Sequence, residues 1–126
     1  MLIEFLLHEV GHKLSAIMVN QYGNYFFQKL LSNCSVEQRL RILQLIEGDF
    51  ISICCHKQGT HTIQTIFDNV TMDHEENFIR NALQGHVCSL SVDPYGTHVI
   101  RKVLQCRSFN QEKQSFIFEE IYSNLN

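Results

Sequence analysis

Asn20-Gln21-Tyr22-Gly23-Asn24-Tyr25-Phe26-Phe27-Gln28 decides the fold, because its pattern returns twice. Thirty-six residues on stands His56-Lys57-Gln58-Gly59-Thr60-His61-Thr62-Ile63-Gln64. Thirty-seven residues after that stands Asp93-Pro94-Tyr95-Gly96-Thr97-His98-Val99-Ile100-Arg101. Each copy runs turn, glycine, small polar residue, ring, two mostly apolar residues, long polar residue. A period of this length marks an array of helical repeats.

Within a copy the first and last polar residues are four apart: Asn24 and Gln28, Thr60 and Gln64, Thr97 and Arg101. On a helix such pairs lie on one face, a turn apart. The ring between them (Tyr25, His61, His98) points to an adjacent side. The next turn is apolar: Phe27, Leu30 and Leu31; Ile63, Ile66 and Phe67; Ile100, Val103 and Leu104. Each helix is therefore expected to bury one face and to show two hydrogen-bonding side chains beside a flat ring. Stacked repeats would align these groups in a row. Two side chains on a base edge with a ring to stack on is how helical repeats read single-stranded RNA. A purely structural role competes, since Asn and Thr are preferred N-caps and each first polar residue could merely cap its helix. Gly23 is expected to end the preceding helix in the left-handed conformation.

Outward from the copies, the chain fills in as helices. Ser35-Val36-Glu37-Gln38 opens one as a capping box, with Leu40, Ile42, Leu43, Leu45 and Ile46 apolar. Thr71 to Glu75 opens a second, with Phe78, Ile79, Ala82 and Leu83. Asn110-Gln111-Glu112-Lys113 opens a third, with Phe116, Ile117, Ile121 and Leu125. Short lead-in helices are expected at Phe50 to Cys55 and Val87 to Val92. Residues 1–19 read as helix, with Leu14, Ile17 and Met18 as core. The organisation is one domain over 1–126: the tail of a preceding repeat (about 1–12), then repeats at 13–47, 48–84 and 85–126.

With 126 residues and 44% apolar content, the chain can build one real core. Its net charge of -3 is not the basic balance expected of a nucleic-acid binder. The acids cluster between the copies, at Glu37, Glu47 and Asp49, at Asp68, Asp73, Glu75 and Glu76, and at Glu112, Glu119 and Glu120. Lys29, Arg101 and Lys102 sit in or beside the copies. That distribution implies an acidic back and a less acidic front. The five cysteines are odd in number and lack C-x-x-C spacing, and no secretory signal or span of about 20 apolar residues is present. A reduced intracellular protein with buried or half-buried thiols and no membrane association follows.

The motif residues carry a resemblance. Asn20 through Leu31, Gln58-Gly59-Thr60-His61 and Tyr95-Gly96-Thr97-His98 resemble the Pumilio (PUF) RNA-binding repeats, and the resemblance covers nearly the whole chain. It implies an all-α, right-handed helical-repeat solenoid (Pumilio/armadillo-like) of about three 36-residue three-helix repeats. It implies RNA on the concave face, one base per repeat, antiparallel to the protein. Asn24 with Gln28 would then select uracil while Tyr25 stacks. Thr60 with Gln64 is similar to the small-residue-plus-Gln class that favours adenine, uracil remaining open, with His61 as stacker. Thr97 with Arg101 resembles the class that accepts cytosine, with His98 as stacker; alternatively Arg101 meets phosphate and reads nothing. The implied preference is 5′-C-(A/U)-U-3′. By the same resemblance the partner is single-stranded RNA (mRNA 3′ UTR), and repressor or deadenylase proteins would bind the convex face. No cofactor is implied. The cytoplasm is the expected compartment, the nucleolus the alternative.

Stacking contributes roughly 1–3 kcal/mol per base, so three bases give on the order of 3–9 kcal/mol before ordering costs, against about 8 for a micromolar complex. Three repeats are thus expected to bind weakly, and a chain that begins inside a repeat reads as a fragment of a longer array, a truncated gene product or part of an assembly. A protein-binding scaffold with decayed RNA reading is the alternative that the negative charge and the departures at Thr60, Thr97 and Arg101 support. A remoter one is a zinc peptidase, since His8-Glu9-Val10-Gly11-His12 fits H-E-x-x-H. Ser15 and Met18 stand where one subclass of that motif needs glycine and histidine.

Overall fold

The structure is a computed structural model that describes residues 2–106 and 109–125. Met1, expected in the first helix, and Arg107, Ser108 and Asn126, expected in the third repeat, lie outside the described residues. The described residues form α1 (Leu2–Val10), α2 (Leu14–Met18), α3 (Gly23–Ser32), α4 (Val36–Ile46), α5 (Phe50–Cys54), α6 (Gly59–Asn69), α7 (Asp73–Leu83), α8 (Val87–Val92), α9 (Gly96–Gln105) and α10 (Gln111–Ser123). Single 3-10 turns, Gly11–Lys13 and Glu47–Asp49, precede α2 and α5. Among the described residues no helix is long and apolar enough to cross a membrane.

Each repeat is a short lead-in helix, an inner helix and an outer helix: α2–α3–α4, α5–α6–α7 and α8–α9–α10. The lead-in helix packs on both of its partners in every repeat. Inner helices α3, α6 and α9 pack directly on one another, whereas outer helices meet mainly through long side chains. Closer approach on one side curves the array and places the inner helices on its concave face. α1 holds the outer position ahead of the first repeat, tied to α4 through Glu4, which accepts from Gln38 (2.9 Å) and Arg41 (3.1 Å).

The core runs through the whole array. Leu14, Met18, Phe27, Leu31, Ile42, Leu43 and Ile46 are buried in the first repeat, Phe50, Ile53, Ile63, Phe67, Ile79 and Leu83 in the second, Val87, Leu90, Val99, Val103 and Ile117 in the third. Three expected core positions are corrected: Leu45, Leu104 and Leu125 are exposed. Leu104 is the informative one. It stands in the register of Leu31 and Phe67, each 2% exposed, yet is 41% exposed itself. In the second repeat Phe109 of the following repeat packs on this position, its ring centroid 5.6 Å from that of Phe67; among the described residues no repeat follows the third. Cys54 is buried, and burial pushes its thiol well above the usual thiol range. Cys34, Cys55, Cys88 and Cys106 are half-buried.

The capping box at α4 forms as expected: Ser35 Oγ accepts from Gln38 N–H, and Gln38 Oε1 accepts from Ser35 N–H. Asn110 caps α10 by accepting from Lys113 N–H. The acidic back needs correction. Glu75 is 1% and Glu76 5% exposed. Arg39 on α4 grips both oxygens of Glu75 at 2.9 Å and also donates to Thr71 Oγ1 at 2.8 Å. Lys113 on α10 donates to Glu76 and to Asp73. Two acids that look solvated in sequence thus clamp α7 between its neighbours, one through the preceding repeat and one through the following. Asp68 is not on the back at all: it lies on the inner helix α6.

The helical stretch before the first copy is divided between the end of one repeat and the start of the next. α1 stops at Val10 and a 3-10 turn intervenes. The H-E-x-x-H reading needs His8 and His12 one turn apart on an unbroken α-helix, so this break removes its geometry. His8 is exposed beside Glu9.

Candidate functional site

The inner helices begin in the same way three times. Asn20 Oδ1 accepts from the N–H groups of Tyr22 and Gly23, both at 2.8 Å. Asp93 Oδ1 accepts from Tyr95 (2.9 Å) and Gly96 (2.8 Å). His56 does the same with Nδ1, accepting from Gln58 (3.0 Å) and Gly59 (3.4 Å). These three residues satisfy the orphan N–H groups of the helix start. Asn24, Thr60 and Thr97 therefore cap nothing: α3, α6 and α9 already begin at the preceding glycine, with no cap bond from the residue before it. The expected left-handed glycine is corrected too. Among the described residues only Gly85 has positive φ. Gly23 and Gly59 are needed because a Cβ would meet a carbonyl oxygen of the lead-in helix, Ile17 O at 2.6 Å or Ile53 O at 2.3 Å.

Freed from capping, the first polar residue of each copy turns out to be buried in the first two. Asn24 is 2% exposed; its Nδ2 donates to the carbonyls of Asn20 (2.9 Å) and Gln21 (2.8 Å). Both amide protons are thereby used. Its Oδ1 accepts from Gln28 Nε2 at 3.3 Å. Thr60 is 1% exposed; its hydroxyl donates to Tyr95 O (2.9 Å) in the next repeat and accepts from Gln64 Nε2 at 3.3 Å. The expectation of two free amides in the first copy therefore becomes one amide and one acceptor oxygen. In both repeats the glutamine is folded back on its partner, which fixes the amide's orientation and, among the described residues, leaves Oε1 and one N–H of Gln28 and of Gln64 uncommitted. The third repeat departs: Thr97 is half-buried and Arg101 exposed, and among the described residues Arg101 has no ion pair.

The rings stand where the pattern placed them. Tyr25 is 70% exposed, His61 exposed and His98 half-buried. Asn24, Tyr25, Gln28, His61 and Gln64 line one open groove of about 460 Å³ across the concave face. Thr60 lies beneath it; Thr97, His98 and Arg101 continue the row on α9. The same groove is lined by Gln58, Thr65, Asp68 and Lys102, which the motif did not single out. Lys102 pairs with Asp68 at 2.6 Å, joining α9 to α6. Their register was available: Lys102 follows Arg101 directly, and Asp68 is four residues, one turn, beyond Gln64.

Known proteins share this repeat fold. The model of the Pumilio-family RNA-binding repeat matches residues 14–47, 49–80 and 86–122. A Pumilio domain-containing protein of Schizosaccharomyces pombe is 36% identical over 119 residues, 94% of this chain and 17% of that protein. The putative pumilio homolog 8, chloroplastic, of Arabidopsis thaliana is 32% identical over 118 residues, 91% of this chain and 22% of its own length. Among solved structures, the Puf4 RNA binding domain bound to the HO endonuclease RNA 3′ UTR recognition sequence is similar with a TM-score of 0.89 at 29% identity, covering 96% of this chain and 37% of that one. The chain thus spans about a fifth of the length of these curated relatives. With three matched repeats along most of its length, the chain belongs to the Pumilio family of RNA-binding repeats.

Proposed function

We propose that this chain binds single-stranded RNA along the groove of α3, α6 and α9, one base per repeat. The carrying observation is the shared groove: Tyr25 and His61, from adjacent repeats, line it together with the uncommitted amides of Gln28 and Gln64. A base slid between the two rings stacks on both while its edge meets a glutamine. Asn24, Tyr25 and Gln28 serve the 3′ base, read as uracil by family likeness: Gln28 supplies a donor and an acceptor, and Asn24 Oδ1 a second acceptor for the imino N–H. Thr60, His61 and Gln64 serve the middle base, Thr97, His98 and Arg101 the 5′ base, giving 5′-C-(A/U)-U-3′. In this reading Thr60 acts through Gln64, because its own proton is held by Tyr95 O. The structurally similar Puf4 domain was solved bound to a 3′ UTR recognition sequence, which supports messenger RNA as the target. Regulation of such messages in the cytoplasm, with repressor or deadenylase proteins on the convex face, completes the proposal.

Fluorescence anisotropy tests it. The chain should bind a short RNA containing CAU or CUU better than one ending in G, and Asn24→Ala/Gln28→Ala should erase that preference. Equal binding to both RNAs would reduce the site to a backbone binder. No binding at low salt would favour the second reading, a protein-binding scaffold, which the charge of -3 and the burial of Asn24 and Thr60 support.

A further inference from the structure

We propose that Lys102 is a further RNA-contact residue, one that binds a backbone phosphate, and that Asp68 is its built-in competitor; the proposal rests on the RNA reading above. Lys102 Nζ lies 2.6 Å from Asp68 Oδ1, with side-chain exposures of 29% and 58%. Both residues line the groove that holds Tyr25, Gln28, His61 and Gln64. Among the described residues lining that groove, Lys102 is the only lysine or arginine and Asp68 the only carboxylate.

The repeats show that this pair is particular to one junction. Lys102 follows the last polar residue of its copy, as Lys29 and Thr65 do in theirs. Asp68 stands four residues beyond Gln64, where the other copies have Ser32 and Gln105. Among the described residues only α6 and α9 therefore bring a carboxylate and an ammonium together across an inner-helix junction. Lys29 has no ion pair among the described residues.

An ammonium on a flexible stem changes partner without backbone movement, and it has three protons to offer. RNA lying in this groove brings one phosphate charge per nucleotide past the groove's cation. An exposed ion pair is held weakly, so phosphate and Asp68 compete on near-equal terms. A carboxylate that holds Lys102 in the free protein thus weakens RNA binding and flattens its salt dependence. The alternative is that Asp68 simply repels phosphate, with Lys102 uninvolved. The two differ in whether the effect of Asp68 requires Lys102.

The test is a double-variant cycle on the full chain, by fluorescence anisotropy with a CAU-containing RNA over a salt series. Asp68→Asn should tighten binding at low salt by about two- to fivefold, the size of one exposed charge pair. It should also steepen the log–log salt slope by about 0.7, one phosphate contact on a single strand. Both gains should vanish in Asp68→Asn/Lys102→Gln. Thermal melts of each variant separate these effects from loosening of the α6–α9 junction. A gain that persists without Lys102 overturns the proposal and leaves the RNA reading standing, as does an Asp68→Asn protein that binds like the parent. If neither the parent nor any variant binds at low salt, both claims fail together.

Discussion

Replacing Arg39 by alanine should cost far more stability than replacing Arg41, two residues along the same helix. Arg39 Nε and Nη2 each donate to a Glu75 oxygen at 2.9 Å, and Nη2 reaches Thr71 Oγ1 at 2.8 Å. The Glu75 side chain is 1% exposed and Arg39's 12%. Without the guanidinium, the Thr71 N–H at 3.4 Å is the remaining donor to that carboxylate among the described residues. Removing one partner of a buried pair costs about 3–5 kcal/mol. Arg39 lies at the rim, where water can partly replace it, so about 3 kcal/mol is expected. Arg41 meets Glu4 at 3.1 Å with both side chains largely exposed, 42% and 55%. Such a pair contributes about 0–1 kcal/mol. In urea unfolding followed by far-UV circular dichroism, a slope of about 1–3 kcal/mol/M turns 3 kcal/mol into a midpoint shift of about 1–3 M. Arg41→Ala should shift it by a few tenths at this scale. Arg39→Met/Glu75→Gln should recover part of the loss, because no buried charge is then left alone. Equal, small shifts for Arg39→Ala and Arg41→Ala would refute the view that α7 is clamped by a buried pair.

Gly59→Ala should destabilise by about 1–3 kcal/mol, since its Cβ would lie 2.3 Å from Ile53 O, a backbone atom that cannot step aside; Gly48→Ala, with nothing within 4 Å, is the matched control, and thermal melts compare them. Asp93 is held below the usual carboxylate range by the N–H groups of Gly96 and Tyr95. A depressed folded pKa means that its stabilisation is present above the ordinary value of 3.8 and is lost as pH falls through the folded value; Asp93→Asn, which keeps the acceptor that Asn20 already supplies in the first repeat, should show a flatter urea midpoint below about pH 4. Tyr25→Ala should weaken binding of a CAU-containing RNA by about 5- to 150-fold, the stacking contribution of one base, measured by anisotropy with the fold checked by circular dichroism.

The repeat was legible in the sequence because three copies carry glycine, polar residue and ring at one spacing, and those residues do build three inner helices in one register. What was not legible followed from contacts between repeats. Asn24 and Thr60 looked like caps or free readers, yet Asn20 and His56 took the capping work and left them to be buried. A histidine and a carboxylate fill one structural position, so residue type alone hid the equivalence of Asn20, His56 and Asp93. Glu75 and Glu76 sit in a polar run that reads as solvated. The clue was periodic: Arg39 stands 36 residues before Glu75, and Lys113 stands 37 after Glu76. Leu104 carries the same pattern as Leu31 and Phe67, and its exposure depends on what packs next, which helical periodicity does not encode. Charge grouped by segment puts Asp68 on the back, whereas its register, one turn beyond Gln64, puts it in the groove.

The most direct measurement of the central claim is position-resolved photocrosslinking. A short RNA carrying 4-thiouridine at its 3′ reading position or 5-iodocytidine at its 5′ reading position is irradiated on the full chain, and adducts are located by mass spectrometry. One base per repeat in antiparallel order predicts that the 3′ label attaches within α3, at or beside Tyr25 and Gln28, and the 5′ label within α9, at or beside His98 and Arg101. Adducts on the outer helices α4, α7 and α10, or the two labels exchanged between α3 and α9, would contradict it.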